Sequence, residues 1–534
     1  MRPRHLLLIA ALSALAACQN APRRPACPAG QICLEYGNNT EPQTLDAQKS
    51  NLVDEATIIS DLMMGLTTEA PDATPVAASA THWEVSPDGL TWTFHLREAK
   101  WSDGVAVTAD DFVFGLQRTL DPKTASIYAY LLYVIKGGKA VNEGKAPLSS
   151  LGVRALDPLT VQITLEHPAP YLLELTKHQS FFPAPKHVVE KWGDAWVRPG
   201  HHVSNGPFQL TSWKLGDKIT VTKNPYFWDA KAVCLDRINY YPTPDAVSAE
   251  RRVARGELDV NARFQSNRFQ RLKDTMPGYP RTGVSLATAY MSFNTFDVAA
   301  FKDIRVRRAL SEAIDREFIT AKLLRAGQQP AYSFVPPITA HYLKAGPKLA
   351  WADKPFAARQ AEARALLAQA GYTAKRPLTV AIRAASTTDT LLLMEAVQAD
   401  WRAIGVEVKL EQNETGVAFA AYRNRDFQAG SMSWSADFND PITFLGLLKS
   451  DTGAQNYGDY KNPAYDALLA QADQEPDEAR RAAVLARAEQ LMLDDEGMAP
   501  LYFVVGRNLV SPRVTGWVDN APNVHRARWL CLKK

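Results

Sequence analysis

Past its first fifteen residues the chain has no apolar run long enough to cross a bilayer as a helix, which takes about twenty residues. Net charge is nearly absent as well: 60 Lys and Arg against 57 Asp and Glu leave +3 over 534 residues. That balance excludes the basic footprint of a nucleic-acid or membrane-surface binder, so no nucleic-acid partner is expected. No G-x-S-x-G, H-E-x-x-H, P-loop or G-x-G-x-x-G occurs, and no nucleophile–base pair stands out, so the chain reads as a non-enzyme with no catalytic residue and no cofactor. Cysteine is sparse, five in all, and neither a close Cys pair nor a His pair sits at zinc-ligand spacing. His201 and His202 are adjacent, point differently and read as loop residues, so no metal site is expected. What remains, 46% hydrophobic and 22% charged over this length, describes a globular chain of several domains or subdomains with ample core.

The N-terminus carries an export signal. Arg2 and Arg4 precede the short apolar stretch Leu6 to Leu15, and Leu15-Ala16-Ala17-Cys18 follows. A cysteine after small residues resembles the lipobox of bacterial lipoproteins, in which Cys18 is lipidated and becomes the mature N-terminus; ordinary cleavage near Ala17 is the alternative. The body is then expected outside the cytoplasm, in the periplasm, anchored to a membrane by lipid. The other four cysteines, Cys27, Cys33, Cys234 and Cys531, are an even number in an oxidising compartment and suggest two disulfides. Three pairings are possible. Pro28 to Ile32 can turn to join Cys27 with Cys33, which would leave Cys234 and Cys531 to tie the end of the chain to its middle, but spacing does not determine the choice.

Along the chain, residues 19–33 read as a tether. Leu34 to Asn39 opens with a strand, and Val53 to Leu66 has helical spacing at Ile58, Ile59, Leu62, Met63 and Leu66. Asp88-Gly89 marks a hairpin turn before a strand with Trp92, Phe94 and Leu96 on its buried face. Thr108 fits an N-cap with Asp111 as its acidic partner. Ala357 to Ala370 is a helix closed by Gly371. Leu378 to Ile382, Thr387 to Ile404 and Val406 to Leu410 form a strand–helix–strand unit and imply a locally parallel sheet. Asp477 to Asp494 is a long helix, and Leu501 to Val505 a buried strand.

Late in the chain, Ser431 to Pro441 reads as a loop before a helix. Asp440 suits the N-cap and Pro441 the first helical position, with Ile442, Phe444, Leu445, Leu447 and Leu448 as the helix body. Asp437 then lies upstream of a helix N-terminus whose partial positive charge keeps a carboxylate ionised. Beside the indole of Trp434 it suits an incoming ammonium group; a capping loop with a solvated aspartate is the other local reading.

Several phrases together resemble one family. They are Leu90 to Arg97, Lys100 to Gly104 and Val107 to Val113, then Asp121 to Ser126 with Tyr128, Asn205 to Phe208, Asn224 to Trp228, Ser292 to Thr295 and Asp303 to Arg316, the last also an amphipathic helix with apolar residues at 306, 309, 310, 313 and 314. In order and spacing they resemble the oligopeptide- and dipeptide-binding type of solute-binding protein, which serves peptide-importing ABC transporters. The resemblance runs from about Leu34 to the C-terminus. It implies an α/β fold of two lobes joined by a hinge, the periplasmic-binding-protein fold, with an extra inserted subdomain. Transferred here, 1–18 is the lipoprotein signal peptide, 19–33 the tether, 34–63, 188–286 and 506–534 are lobe I, 64–187 the insert, and 287–505 lobe II. A Cys234–Cys531 bridge would fall within lobe I.

The resemblance also implies a site. Asp437 falls on the family's anchor for the ligand amine and Trp434 on the aromatic just before it. Tyr128 falls on a ligand-contacting tyrosine, and Asn51 and Val53 on a loop giving main-chain contacts. Ser435 and Asn439 flank the anchor and complete the ligand-binding set. Ser431 stands where the oligopeptide-binding members have an arginine for the ligand carboxylate, with Arg423 and Arg425 as nearby substitutes. The implied partners are a peptide, the permease subunits of an ABC importer and, through Cys18, a membrane; the protein is expected to be a monomer. The fold also serves other solutes, among them cell-wall peptides, opines, haem and nickel complexes.

Overall fold

The computed structural model describes residues 24–533. The export signal, the lipidation of Cys18 and the first part of the tether lie outside the described residues. Two long antiparallel strands, Pro280–Phe293 and Ala499–Val510, form the axis of the molecule. On one side their sheet continues through Val260–Asn261, Cys33–Gly37, Arg237–Tyr241, Lys218–Lys223 and Phe208–Lys214. On the other it continues through Ala429–Ser435, Thr379–Ala385 and Glu407–Asn413. The two lobes thus share one pair of hinge strands. Their ladder breaks between Val284 and Thr288, which pair with Val505 and Phe503. Three residues there oppose one, a bulge that weakens pairing and concentrates bending. Inside it, Leu286 N–H donates to Ala521 O at 2.9 Å and Leu286 O accepts from Ala436 N–H at 2.8 Å.

Local chemistry explains most elements. Thr108 and Asp111 form a capping box on Ala109–Leu120, with Thr108 N–H donating to Asp111 Oδ2 at 2.9 Å. Trp92, Phe94 and Leu96 alternate inward on Thr91–Leu96, which pairs with Ala80–Val85 across the Asp88-Gly89 turn. These strands belong to a separate four-stranded sheet, completed by Thr160–Thr164 and Val153–Asp157, in the inserted subdomain. Thr379–Ala385, the helix Thr388–Ala403 and Glu407–Asn413 form the expected parallel unit. Gly371 and Gly405, both at φ +88°, end their helices in a conformation that costs other residues about 1 kcal/mol or more. Cys27 is bonded to Cys33, and Cys234 to Cys531. Among the described residues no helix is long and apolar enough to cross a membrane.

Four elements differ from their sequence reading, each because a distant group captures the backbone. The helix from Val53 ends at Leu62, not Leu66, because Leu62 O accepts from Gly206 N–H and Met64 N–H donates to Asn205 Oδ1. The helix from Ile304 ends at Glu312. The buried Arg316 guanidinium beyond it donates to the carbonyls of Ser311, Ala331 and Pro500. The Leu501 to Val505 strand is the middle of a twelve-residue hinge strand. Ser431 and Trp434 lie in a strand rather than a loop, paired with Met291 and Thr288 of the hinge.

Candidate functional site

The strand Ala429–Ser435 runs beside the hinge and releases the loop 436–440 at the bulge, where Ala436 is held by Leu286. The loop folds back on the turn that follows it. Trp434 Nε1–H donates to Thr443 O at 2.8 Å, and Asp437 N–H to Thr443 Oγ1 at 3.2 Å. Asp440 Oδ1 accepts from Ile442 N–H at 3.0 Å, so Asp440 does cap the turn. Its carboxylate also receives both terminal nitrogens of Arg481, at 2.8 and 2.9 Å, with neither side chain exposed beyond 1%. The helix after Pro441 is one turn, Ile442–Leu445, followed by a tighter turn at Gly446–Leu448. The hydroxyls of Tyr465 and Thr452 take the carbonyls of Leu445 and Gly446 and stop it there.

The inserted subdomain grips the same loop from the opposite side. Phe438 stacks on Tyr171 at 5.0 Å and joins the core shared by the insert and lobe I. Asn439 N–H reaches Glu174 Oε2 at 3.4 Å, and Glu174 is bridged to Lys177 at 2.8 Å. Asn439 Oδ1 turns the other way and accepts from Ala340 N–H at 2.8 Å. Tyr130, on the helical turns Ile127–Val134, donates its hydroxyl to Asp437 Oδ2 at 2.5 Å.

The electrostatics of Asp437 differ from the sequence reading. A one-turn helix, already capped by Asp440, does not hold the carboxylate ionised. Burial instead pushes the Asp437 carboxyl up to about 6, with the Tyr130 hydrogen bond partly opposing the rise. No Lys, Arg or His pairs with Asp437 among the described residues. Asp437 is half-buried, and its carboxylate, facing one neutral donor, is short of a cation and open to receive one.

Tyr128 sits on the same helical turns as Tyr130, its ring edge against His178 at 4.8 Å and 6.2 Å from the Tyr130 ring. Burial and the nearby Asp437 charge hold its hydroxyl protonated. Sequence reasoning misses Tyr130; the Tyr-x-Tyr pattern is visible, but nothing local shows which ring meets Asp437. Ser435 is exposed at the end of its strand. Asn51 and Val53 are exposed at the start of the helix Val53–Leu62. That corner is built by Glu55, whose Oε2 accepts the N–H groups of Asn51 and Leu52 and whose Oε1 accepts those of Gln43 and Thr44. Arg425 is not available to replace an arginine at Ser431, because it is paired with Asp459 at 2.6 Å. Arg423 is exposed. Away from this loop, the hairpin of the insert brings His82 and His95 face to face, a pairing that linear spacing conceals.

Comparison with known proteins places this geometry in a family. Residues 74–456 match the model of bacterial extracellular solute-binding proteins, family 5 middle region. The chain is 37% identical over 495 residues to the periplasmic oligopeptide-binding protein OppA of Escherichia coli, covering 92% of this chain and 90% of OppA. It is 36% identical over 498 residues to the probable deoxycholate-binding periplasmic protein YgiS of the same organism, covering 92% of each. The structure of the E. coli murein tripeptide binding protein MppA superposes with a TM-score of 0.87 at 34% identity, covering 95% of this chain and 99% of that one. With a family match across most of its length and a shared two-lobed fold, the chain belongs to the bacterial extracellular solute-binding proteins of family 5.

Proposed function

We propose that this protein captures peptides outside the cytoplasmic membrane and delivers them to an ABC-type importer, with Asp437 receiving the peptide α-ammonium group. The observation that carries this is the half-buried Asp437 carboxylate at the hinge, held by Tyr130 and lacking a cation. A peptide amine supplies that cation and so offsets the cost of burying both charges. Trp434 and Tyr128 flank it as aromatic walls, and Ser435, Asn51 and Val53 are the main-chain and hydroxyl contacts. Asn439 shapes the loop from behind, through Ala340. A bile acid such as the deoxycholate for which YgiS is named brings an anion and no amine, so Asp437 would repel it. A cell-wall peptide with a free amine fits the same anchor and is the second reading, favoured by the close superposition on MppA, a murein tripeptide binding protein.

At the carboxylate end the candidate is Arg263. It follows the strand Val260–Asn261 of lobe I, is exposed, and lies within electrostatic reach of Arg507, Asp54 and Asp389. Asp389 of lobe II is itself bound to Arg507 at 2.5 Å and to Ser266 at 2.9 Å, so Arg263 stands where the lobes meet. Closure of the lobes around ligand is a hinge motion at the bulge of residues 285–287. No chemistry on the ligand is required. The lobe boundaries carried from the resemblance, a Cys18 lipid anchor, a periplasmic location and a monomeric state belong to this proposal. Native mass spectrometry of protein purified from its own compartment tests it. The expected result is a co-purified peptide or peptide-like amine; a ligand without an amine, or cleavage of added peptides, would overturn it.

A further inference from the structure

In the inserted subdomain, Ala80–Val85 and Thr91–Leu96 pair antiparallel, with His82 opposite His95 and Glu84 opposite Thr93. His82 and Glu84 are two residues apart, so both face the side of the sheet opposite Trp83. Trp83 packs inward against Phe94, at 6.1 Å between rings, which fixes the outward direction of its neighbours. On that outer face the two imidazoles stack at 4.4 Å with an 11° angle. Glu84 Oε1 lies 3.6 Å from His95 Nε2. One donor atom from each of His82, Glu84 and His95 lies within 4.8 Å of the other two.

We propose that this face of the hairpin is a binding site for a first-row divalent cation of the zinc class, with His82, Glu84 and His95 as its protein ligands. Three further observations support it. First, the Thr81 hydroxyl donates to the His95 main-chain carbonyl at 3.1 Å. Its single proton is thereby committed, and its oxygen accepts from His82 Nδ1–H at 2.9 Å. That fixes the tautomer of His82 and leaves its Nε2 lone pair free, as a hydrogen-bonded ligating histidine requires. Second, His95 Nε2 is shielded from solvent and has no hydrogen-bond partner, an arrangement that is costly unless something occupies it. Third, ligand atoms about 2.0–2.2 Å from a tetrahedral zinc lie about 3.3 Å from one another, and the Glu84–His95 pair is already near that span. Because the two rings stack nearly parallel and each ligating lone pair lies in its ring plane, binding turns the exposed His82 ring out of the stack, and the exposed Glu84 side chain moves with it.

Two imidazole nitrogens and one carboxylate oxygen suit zinc or a neighbouring transition ion, and suit magnesium or calcium poorly. A fourth position stays open to water. The cation would cross-link the edge strand Ala80–Val85 to its neighbour beside the register shift between Ala80 and His82, and so fasten the sheet of the insert. None of the three residues touches the Asp437 loop, so the site stands apart from peptide capture.

The test uses the full chain without an affinity tag, freed of metal with a chelator and titrated with Zn²⁺ against a chromophoric competitor. One tightly held ion per chain is expected, weakened at least tenfold in His82→Gln and in His95→Gln and less in Glu84→Gln. Zn²⁺ should raise the Tm of the parent chain and not of the two histidine variants, while all three variants keep their peptide affinity. Excess Mg²⁺ should not displace the ion. The proposal is overturned if no stoichiometric uptake occurs, if both histidine variants bind Zn²⁺ as the parent does, or if Mg²⁺ competes at comparable concentration.

Discussion

The hydroxyl of Tyr130 donates to Asp437 Oδ2 at 2.5 Å and joins residues 307 positions apart, one from the inserted subdomain and one from the loop at the hinge. The bond pulls the carboxyl back toward ionisation against its burial. Removing the hydroxyl should raise the Asp437 carboxyl further and remove a hydrogen bond to a charge, worth about 1.5–3 kcal/mol. Tyr130→Phe is therefore expected to weaken peptide affinity roughly 10- to 100-fold at pH 7 by calorimetry, with the fold retained. Asp437→Ala should lose more, about 2–5 kcal/mol, because it leaves the ligand ammonium buried without a partner. Affinities within twofold of the parent in both variants would remove this pair from the site.

The position of the Asp437 carboxyl, about 6, sets a pH window for binding. Burial raises it above the ordinary carboxylate range, so the unliganded protein favours the neutral form below that pH. An ammonium ligand binds the ionised form and releases a proton on binding below the window. Affinity should fall as pH drops through about 6, approaching tenfold per unit well below it. It should hold steady to about pH 7.7–8.0, where the peptide amine itself loses its proton. Asp437→Asn should flatten the acidic limb. An affinity that is level from pH 7 to pH 5 would contradict the assignment.

What the sequence made legible was local. The capping box at Thr108 and Asp111, the alternation through Trp92, Phe94 and Leu96, and the helix stops at Gly371 and Gly405 each depend on residues a few positions apart. The strand character of Ser431 to Ser435 was hidden because it comes from pairing with the hinge, 144 residues earlier at Ser433 and Ala289. The meeting of Tyr130 with Asp437 and of His82 with His95 depends likewise on register and docking, which no spacing encodes. The helix N-terminus expected to support the ionised Asp437 is only one turn long, so burial raises its carboxyl to about 6, and it is ionised at neutral pH without that help.

Arg263 gives a separate handle on the other end of the ligand. If it receives the carboxylate, Arg263→Ala should weaken a free-acid peptide by about 1.5–3 kcal/mol, the range for a hydrogen bond to a charged group. The same peptide with an amidated C-terminus should be bound weakly by the parent and almost equally by the variant. Arg423→Ala, at the exposed end of its helix, should distinguish the two forms no differently from the parent. Equal losses for acid and amide in Arg263→Ala would assign Arg263 a structural role instead.

Behind the loop, Arg481 and Asp440 form an ion pair with both side chains out of water, and the Arg481 guanidinium also lies 5.1 Å from the Tyr171 ring of the insert. Asp440 holds the turn after Pro441 through Ile442 N–H, and that turn in turn holds Trp434 and Asp437 through Thr443. Arg481→Met keeps much of the side-chain volume and strands a buried carboxylate, which costs about 3–5 kcal/mol. Chemical denaturation should register that loss, and peptide affinity should fall with it, because the anchor of Asp437 loosens. Replacing Asp440 by Asn in the same chain removes the stranded charge and keeps a cap, so the double variant should recover part of the stability lost in Arg481→Met. A double variant less stable than either single one would show that the two residues act independently, and that the loop owes its shape to Phe438 and Tyr171 alone.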